Sequence, residues 1–173
     1  MSRLFPILLF AALACGCAGP VVPQSQPRLL THANVVPLAI NPDFSFRKTS
    51  LFLHERKIEK PSANGMVNFE RERLNYGAIT GVQMEAREGQ YFNFWWRAKR
   101  PAHLTVRLEY RQQNLGSYVQ AQEVEVPNAC GTIETKFKVV GEEFHNDGRV
   151  SAWRALLIEN GKVVALTQSF LWN

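Results

Sequence analysis

Between Gln90 and Arg111 the sequence alternates with a period of two, and this pattern constrains the fold more than any other feature. Phe92, Phe94, Trp96 and Ala98 interleave with Tyr91, Asn93, Trp95 and Arg97, and after Pro101 the alternation resumes, with Leu104, Val106, Leu108 and Tyr110 set against Thr105, Arg107, Glu109 and Arg111. Successive side chains of a strand point to opposite faces, so each run makes a dry face and a wet one, with Arg107 and Glu109 on the wet side. Downstream, Thr132 to Val140 sends Ile133, Phe137 and Val139 inward, and further candidate strands lie near 35–40, 44–54, 66–71, 78–85 and 118–126. No window of a dozen residues sustains apolar spacing at the helical period. The reading is an all-β domain without helices, built from seven or eight short antiparallel strands in a two-sheet sandwich, with a closed barrel as the alternative.

Asn160-Gly161 stands between the runs Arg149–Glu159 and Lys162–Trp172. A two-residue type I′ turn needs positive φ at both central residues, which this dipeptide supplies. Pairing Glu159 with Lys162 then sets Leu157 opposite Val164, Ala155 opposite Leu166 and Trp153 opposite Gln168 on one face. The other face pairs Ile158 with Val163, Leu156 with Ala165, Arg154 with Thr167 and Val150 with Leu171. Both faces are apolar, whereas a sandwich hairpin ordinarily keeps one wet. The face carrying Val150, Arg154, Leu156, Ile158, Val163 and Ala165 therefore calls for a cover: the chain's own residues 35–58, or a docking partner. The strand pattern resembles immunoglobulin and fibronectin type III domains in architecture. The Cys…Trp…Cys spacing of true immunoglobulin domains is missing, and architecture does not assign function.

The N-terminus describes export. Arg3 precedes an apolar run from Leu4 to Ala14, 11 residues long, too short to span a bilayer, which takes roughly 17 to 25 residues. It closes on Ala14-Cys15-Gly16-Cys17, which resembles the lipobox of bacterial lipoproteins. That resemblance implies removal of residues 1–16, a diacylglycerol on Cys17 (alternatively Cys15) and, with Ala18 following, an outer-membrane location in the cell envelope. Residues 17–33, with Pro20, Pro23 and Pro27, read as the lipidated cysteine and an extended tether, and 34–173 as the β-sandwich domain. Losing the signal lowers the net charge from +5 to +4, a mild excess that suits anionic headgroups, acidic glycans or an acidic partner; nucleic acid is not expected in that compartment.

Catalytic signatures are missing from the sequence. There is no G-x-S-x-G, no H-E-x-x-H and no Gly-rich phosphate loop, and His32, His54, His103 and His145 are scattered at no metal-ligand spacing. Glu142-Glu143, His145 and Asp147 read as a solvated acidic turn, and Cys130 as a buried or half-buried structural thiol. Neither a cofactor, a metal nor an enzymatic activity is expected. The Tyr91, Asn93, Trp95, Arg97 face mixes rings with amide and guanidinium groups, a composition found where proteins dock and where sugars stack. The expectation is a lipid-anchored, non-catalytic interaction or assembly module of the cell envelope with a protein partner; the alternative is a binder of peptidoglycan or surface glycan.

Overall fold

The computed structural model describes residues 22–55, 62–74, 77–78 and 80–172. The expected signal peptide, Cys15 and Cys17 lie outside the described residues. Among the described residues six strands, β1 (Arg28–Leu29), β2 (Phe44–His54), β3 (Gly89–Gln112), β4 (Gln120–Val140), β5 (Val150–Glu159) and β6 (Lys162–Gln168), pair antiparallel, and three helices, α1 (Gly65–Leu74), α2 (Gly81–Arg87) and α3 (Glu142–Asp147), join them. The fold is all-β and sandwich-like, and the sheet does not close into a barrel. No helix among the described residues is long and apolar enough to cross a membrane.

The spine is the β3–β4 hairpin, paired from Gly89↔Val140 to Tyr110↔Gln120. β2 lines the first half of β3 and β5 the second, with β6 beyond β5. All six strands thus belong to one hydrogen-bonded sheet, not two. It nevertheless makes two layers, because the spine folds back on itself. Trp153, paired with Tyr110, has its ring 5.4 Å from that of Phe94. At about 3.3 Å per residue a straight strand would hold Phe94 on the order of 50 Å from Tyr110. The bend falls where register breaks between Ala98 and Leu104, at Arg100-Pro101, opposite Asn128 with φ 55° and Gly131 with φ 81°. Proline offers no N–H to the ladder there. The dry faces of both halves meet across the fold, with Phe92, Phe94, Trp96, Leu104, Val106, Leu108 and Tyr110 almost fully buried in one core.

Several expectations give way. The run near 66–71 lies in α1, and of the run near 78–85 the part from Gly81 lies in α2, so neither is a strand among the described residues: Thr80 and Gln83 close a capping box at the start of α2, and Asn64 accepts from the Met66 N–H as α1 begins. Short apolar runs do not distinguish helix from strand by period. Pro101 bends β3 without ending it, and the runs expected at 118–126 and 132–140 are one strand, β4. Residues 35–40 form no strand; they contribute one parallel bridge, Leu38 to Val163.

Nor is the tether free over its full length. From Val22 onward it lies along the outer edge of β4, where Ser25 N–H donates to Glu125 O, Leu30 N–H donates to Ala121 O, and β1 pairs with Gln122 and Glu123. Val22 packs against the core. An open strand edge presents a row of unpaired backbone groups, and this segment satisfies them.

At the hairpin, Asn160 (φ 50°) and Gly161 (φ 70°) form the turn as expected, and Glu159↔Lys162 and Ile158↔Val163 pair as read. The next pairs slip by one, to Leu157↔Ala165, Leu156↔Leu166 and Arg154↔Gln168. Val164 is the extra residue of a bulge. Val164 and Ala165 consequently both join the main core. A second register break, between Arg111 and Gln112, faces Ser151 on β5 and turns Val150 toward that same core.

Candidate functional site

The outer face of the first half of the spine is built by three strands in register. On β3 stand Tyr91, Asn93, Trp95 and Arg97; across from them β2 sets Phe52, Ser50, Lys48 and Ser45, and β4 sets Lys138, Lys136, Glu134 and Thr132. The structure therefore brings the four residues read from sequence together, with Tyr91, Asn93 and Trp95 half-buried and Arg97 exposed. Tyr91 is committed: its ring stacks parallel on Phe52 at 4.8 Å, and its hydroxyl donates to Arg87 O at 2.8 Å. Trp95 carries a cation, with Lys48 Nζ 4.9 Å from its ring centre. Lys136 and Glu134 pair at 3.3 Å. Four cations, Lys48, Arg97, Lys136 and Lys138, thus face one carboxylate, Glu134, around a line of rings. This is an open sheet face, suited to a partner that brings negative charge and apolar surface.

The hairpin face is arranged differently from the expectation. Ala165 and Val150 belong to the main core, so the six residues do not share one surface. Leu156, Ile158 and Val163 are nine-tenths or more buried, and the cover is internal: Val36 packs on them. The covering segment is tied to β6 by backbone, with Val163 N–H donating to Pro37 O, Ala39 N–H to Val163 O and Asn41 N–H to Val164 O. Arg154 leans over the Trp172 ring and donates to Glu109 Oε2 at 2.5 Å.

Beside this patch the middle of the expected wet face of β3 proves dry. Arg107 and Glu109 are only 5% and 3% exposed. Arg107 donates through Nε to Glu123 at 2.7 Å and through its terminal nitrogens to Asn34 O and Oδ1, both at 2.8 Å; Glu109 lies 3.5 Å from Arg107. Buried charge is tolerated when paired and hydrogen-bonded in this way. Strand register carried the missed signal, because Arg107 sits opposite Glu123 and Glu109 opposite Arg154.

A further polar cluster pins α3 to the spine. Tyr110 Oη donates to Glu143 Oε1 at 2.5 Å, Gln122 Nε2 donates to Tyr110 Oη, and Gln112 Nε2 donates to Gly148 O at 2.8 Å. Burial raises the Glu143 carboxyl above the ordinary carboxylate range, against the hydrogen bond from Tyr110, and burial also raises the Tyr110 hydroxyl. The stretch read as a solvated turn is therefore a short helix with Glu143 turned inward. Among the described residues no group of three side chains could hold a metal ion. Cys130, expected to be buried or half-buried, is exposed.

No family model matches this chain, and no curated protein does. Among solved structures, a crystal structure from Akkermansia muciniphila is similar, with a TM-score of 0.46 and 14% identity over 75% of this chain and 73% of that one.

Proposed function

We propose that this chain is a lipid-anchored protein of the bacterial cell envelope, held through Cys17 or alternatively Cys15 in the outer membrane, whose domain acts as a non-catalytic interaction module. The docking surface in this reading is the Trp95 face. The observation that carries it is the contrast between the two surfaces: Trp95 stands half-exposed among Lys48, Lys136 and Arg97, while the apolar hairpin patch is already covered by Val36. A half-exposed ring with Lys48 over it, on a face that also carries Lys136 and Arg97, fits an acidic protein surface. Chain path adds support. Gln24 Nε2 donates to Glu134 O at 2.8 Å, at the border of this face. Gln24 is seven positions beyond Cys17, so at about 3.3 Å per position the anchor lies within roughly 25 Å and keeps the face near the membrane.

Glycan binding is the second reading, favoured by the same rings. Against it, the rings sit on an open sheet face, whereas the pockets lined by Trp172 and by His145 lie elsewhere. A photo-crosslinking residue at Asn93 in intact cells separates the two. The expected result is one protein adduct, lost on Trp95→Ala or Lys136→Glu while the domain stays folded. Retention on purified peptidoglycan or surface glycan that depends on Trp95, without a protein adduct, would transfer the assignment to glycan. For the anchor, Cys17→Ser is expected to abolish palmitate labelling; loss on Cys15→Ser instead moves the site, and loss on neither ends the lipoprotein reading.

A further inference from the structure

At the far end of the spine, a pocket of about 400 Å³ is lined by residues from five separate parts of the chain, among them His32, Glu109, Arg111, Val119, Arg154 and Trp172. Its floor is the outer face of β3 and β5. Glu109 is paired with Arg154 across the strands and Arg111 with Ala152, so Arg111 and Arg154 are diagonal neighbours. Trp172 lies against both, 4.8 Å from the Arg111 guanidinium and 5.0 Å from that of Arg154. Two like charges are thus gathered at one ring.

Their neutralisation is incomplete. Glu109, buried, is shared between Arg154 at 2.5 Å and Arg107 at 3.5 Å, and Glu123 is taken by Arg107 at 2.7 Å with Arg28 at 3.7 Å. Arg111 has no carboxylate within ion-pair distance among the described residues, and its Nε is enclosed with no acceptor. A guanidinium fork held over an indole and lacking an oxyanion is a preformed carboxylate receptor. Val119, Tyr118 and the Trp172 ring add apolar wall, which a bare ion does not use.

We infer that this pocket, walled by Arg111, Arg154, Trp172 and Val119, binds a small organic carboxylate with an apolar body, its oxyanion on Arg111 and its body against Trp172 and Val119. The site is separate from the Trp95 face and does not depend on the docking function proposed above.

Titration of the purified chain at low ionic strength with benzoate, acetate and inorganic phosphate, read by calorimetry and tryptophan fluorescence, tests this. Saturable one-site binding of benzoate is expected, at least tenfold tighter than acetate or phosphate. Arg111→Gln should weaken it at least tenfold. Val119→Trp, which fills the pocket and leaves every charge in place, should do the same, and it keeps the test decisive if Arg111→Gln fails to fold. Lys136→Gln, on the Trp95 face, should leave the affinity unchanged. The assignment is overturned by the lack of saturable benzoate binding, by benzoate affinity that survives both pocket variants, or by phosphate binding as tightly as benzoate.

Discussion

Arg107 shows how much a single buried charge depends on its neighbours. It satisfies Glu123 and two oxygens of Asn34 and lies beside Glu109. Arg107→Ala leaves two carboxylates under the Asn34 segment without their shared cation, and breaking a buried pair costs about 3 to 5 kcal/mol. Chemical denaturation is expected to show a loss of that size, whereas Lys136→Ala on the exposed pair with Glu134 should stay within about 1 kcal/mol. Glu143 makes a second prediction at this scale. Its carboxyl is held above the ordinary range by burial, so the folded state binds that proton more tightly than the unfolded chain. Its contribution to stability is fully present below the ordinary carboxylate pKa of about 4.3 and is lost as pH rises through the raised folded value. Glu143→Gln is expected to flatten that decline in a series of melting curves taken across this window, because an amide carries no titrating proton and still accepts from Tyr110 Oη.

Among the elements, the β5–β6 turn and the start of β3 make contrasting demands on glycine. Gly161 sits at φ 70° with open space where a Cβ would stand, so Gly161→Val meets backbone strain alone, about 1 to 3 kcal/mol. At Gly89, with φ 147°, a Cβ would lie 2.2 Å from Val139 O and 2.8 Å from Val140 Cα. Both neighbours are backbone of the paired strand and have no rotamer to yield. Gly89→Ala should therefore destabilise the domain more than Gly161→Val despite adding a smaller side chain; equal melting temperatures would contradict the close approach of β3 to β4. The turn was legible in the sequence because Asn160-Gly161 fixes its own geometry locally. The slip at Val164 was not, because a bulge is selected by what it gains elsewhere: two residues placed in the core, and the Val164 carbonyl turned to Asn41 N–H.

For the whole molecule, the decisive contact is made by the segment from Asn34 to Asn41, which lies along β6 and places Val36 over Leu156, Ile158 and Val163. Leu156, only 4% exposed, is then a folding residue. Leu156→Glu would bury an unpaired carboxylate and should cost more than about 2 kcal/mol. A thermal melt matching the parent, with loss of an envelope partner alone, would instead restore this patch as a docking surface. By contrast, Trp95→Ala should leave the melting temperature nearly unchanged.

By itself the sequence determined which β3 residues form the main apolar core, the position and type of the β5–β6 turn, the all-β class and the grouping of Tyr91, Asn93, Trp95 and Arg97 on one face. All of these follow from interactions between residues a few positions apart along one strand or within one turn. Tertiary structure alone decided that Arg107 and Glu109 are buried, that Val36 covers the hairpin, that the N-terminal segment completes the edge of β4, and that Arg111, Val119 and Trp172 share a pocket. Arg107 and Asn34 are 73 residues apart in sequence. Local periodicity describes the face a strand presents; whether water or another part of the chain lies against that face depends on contacts over such separations, and no local pattern encodes them.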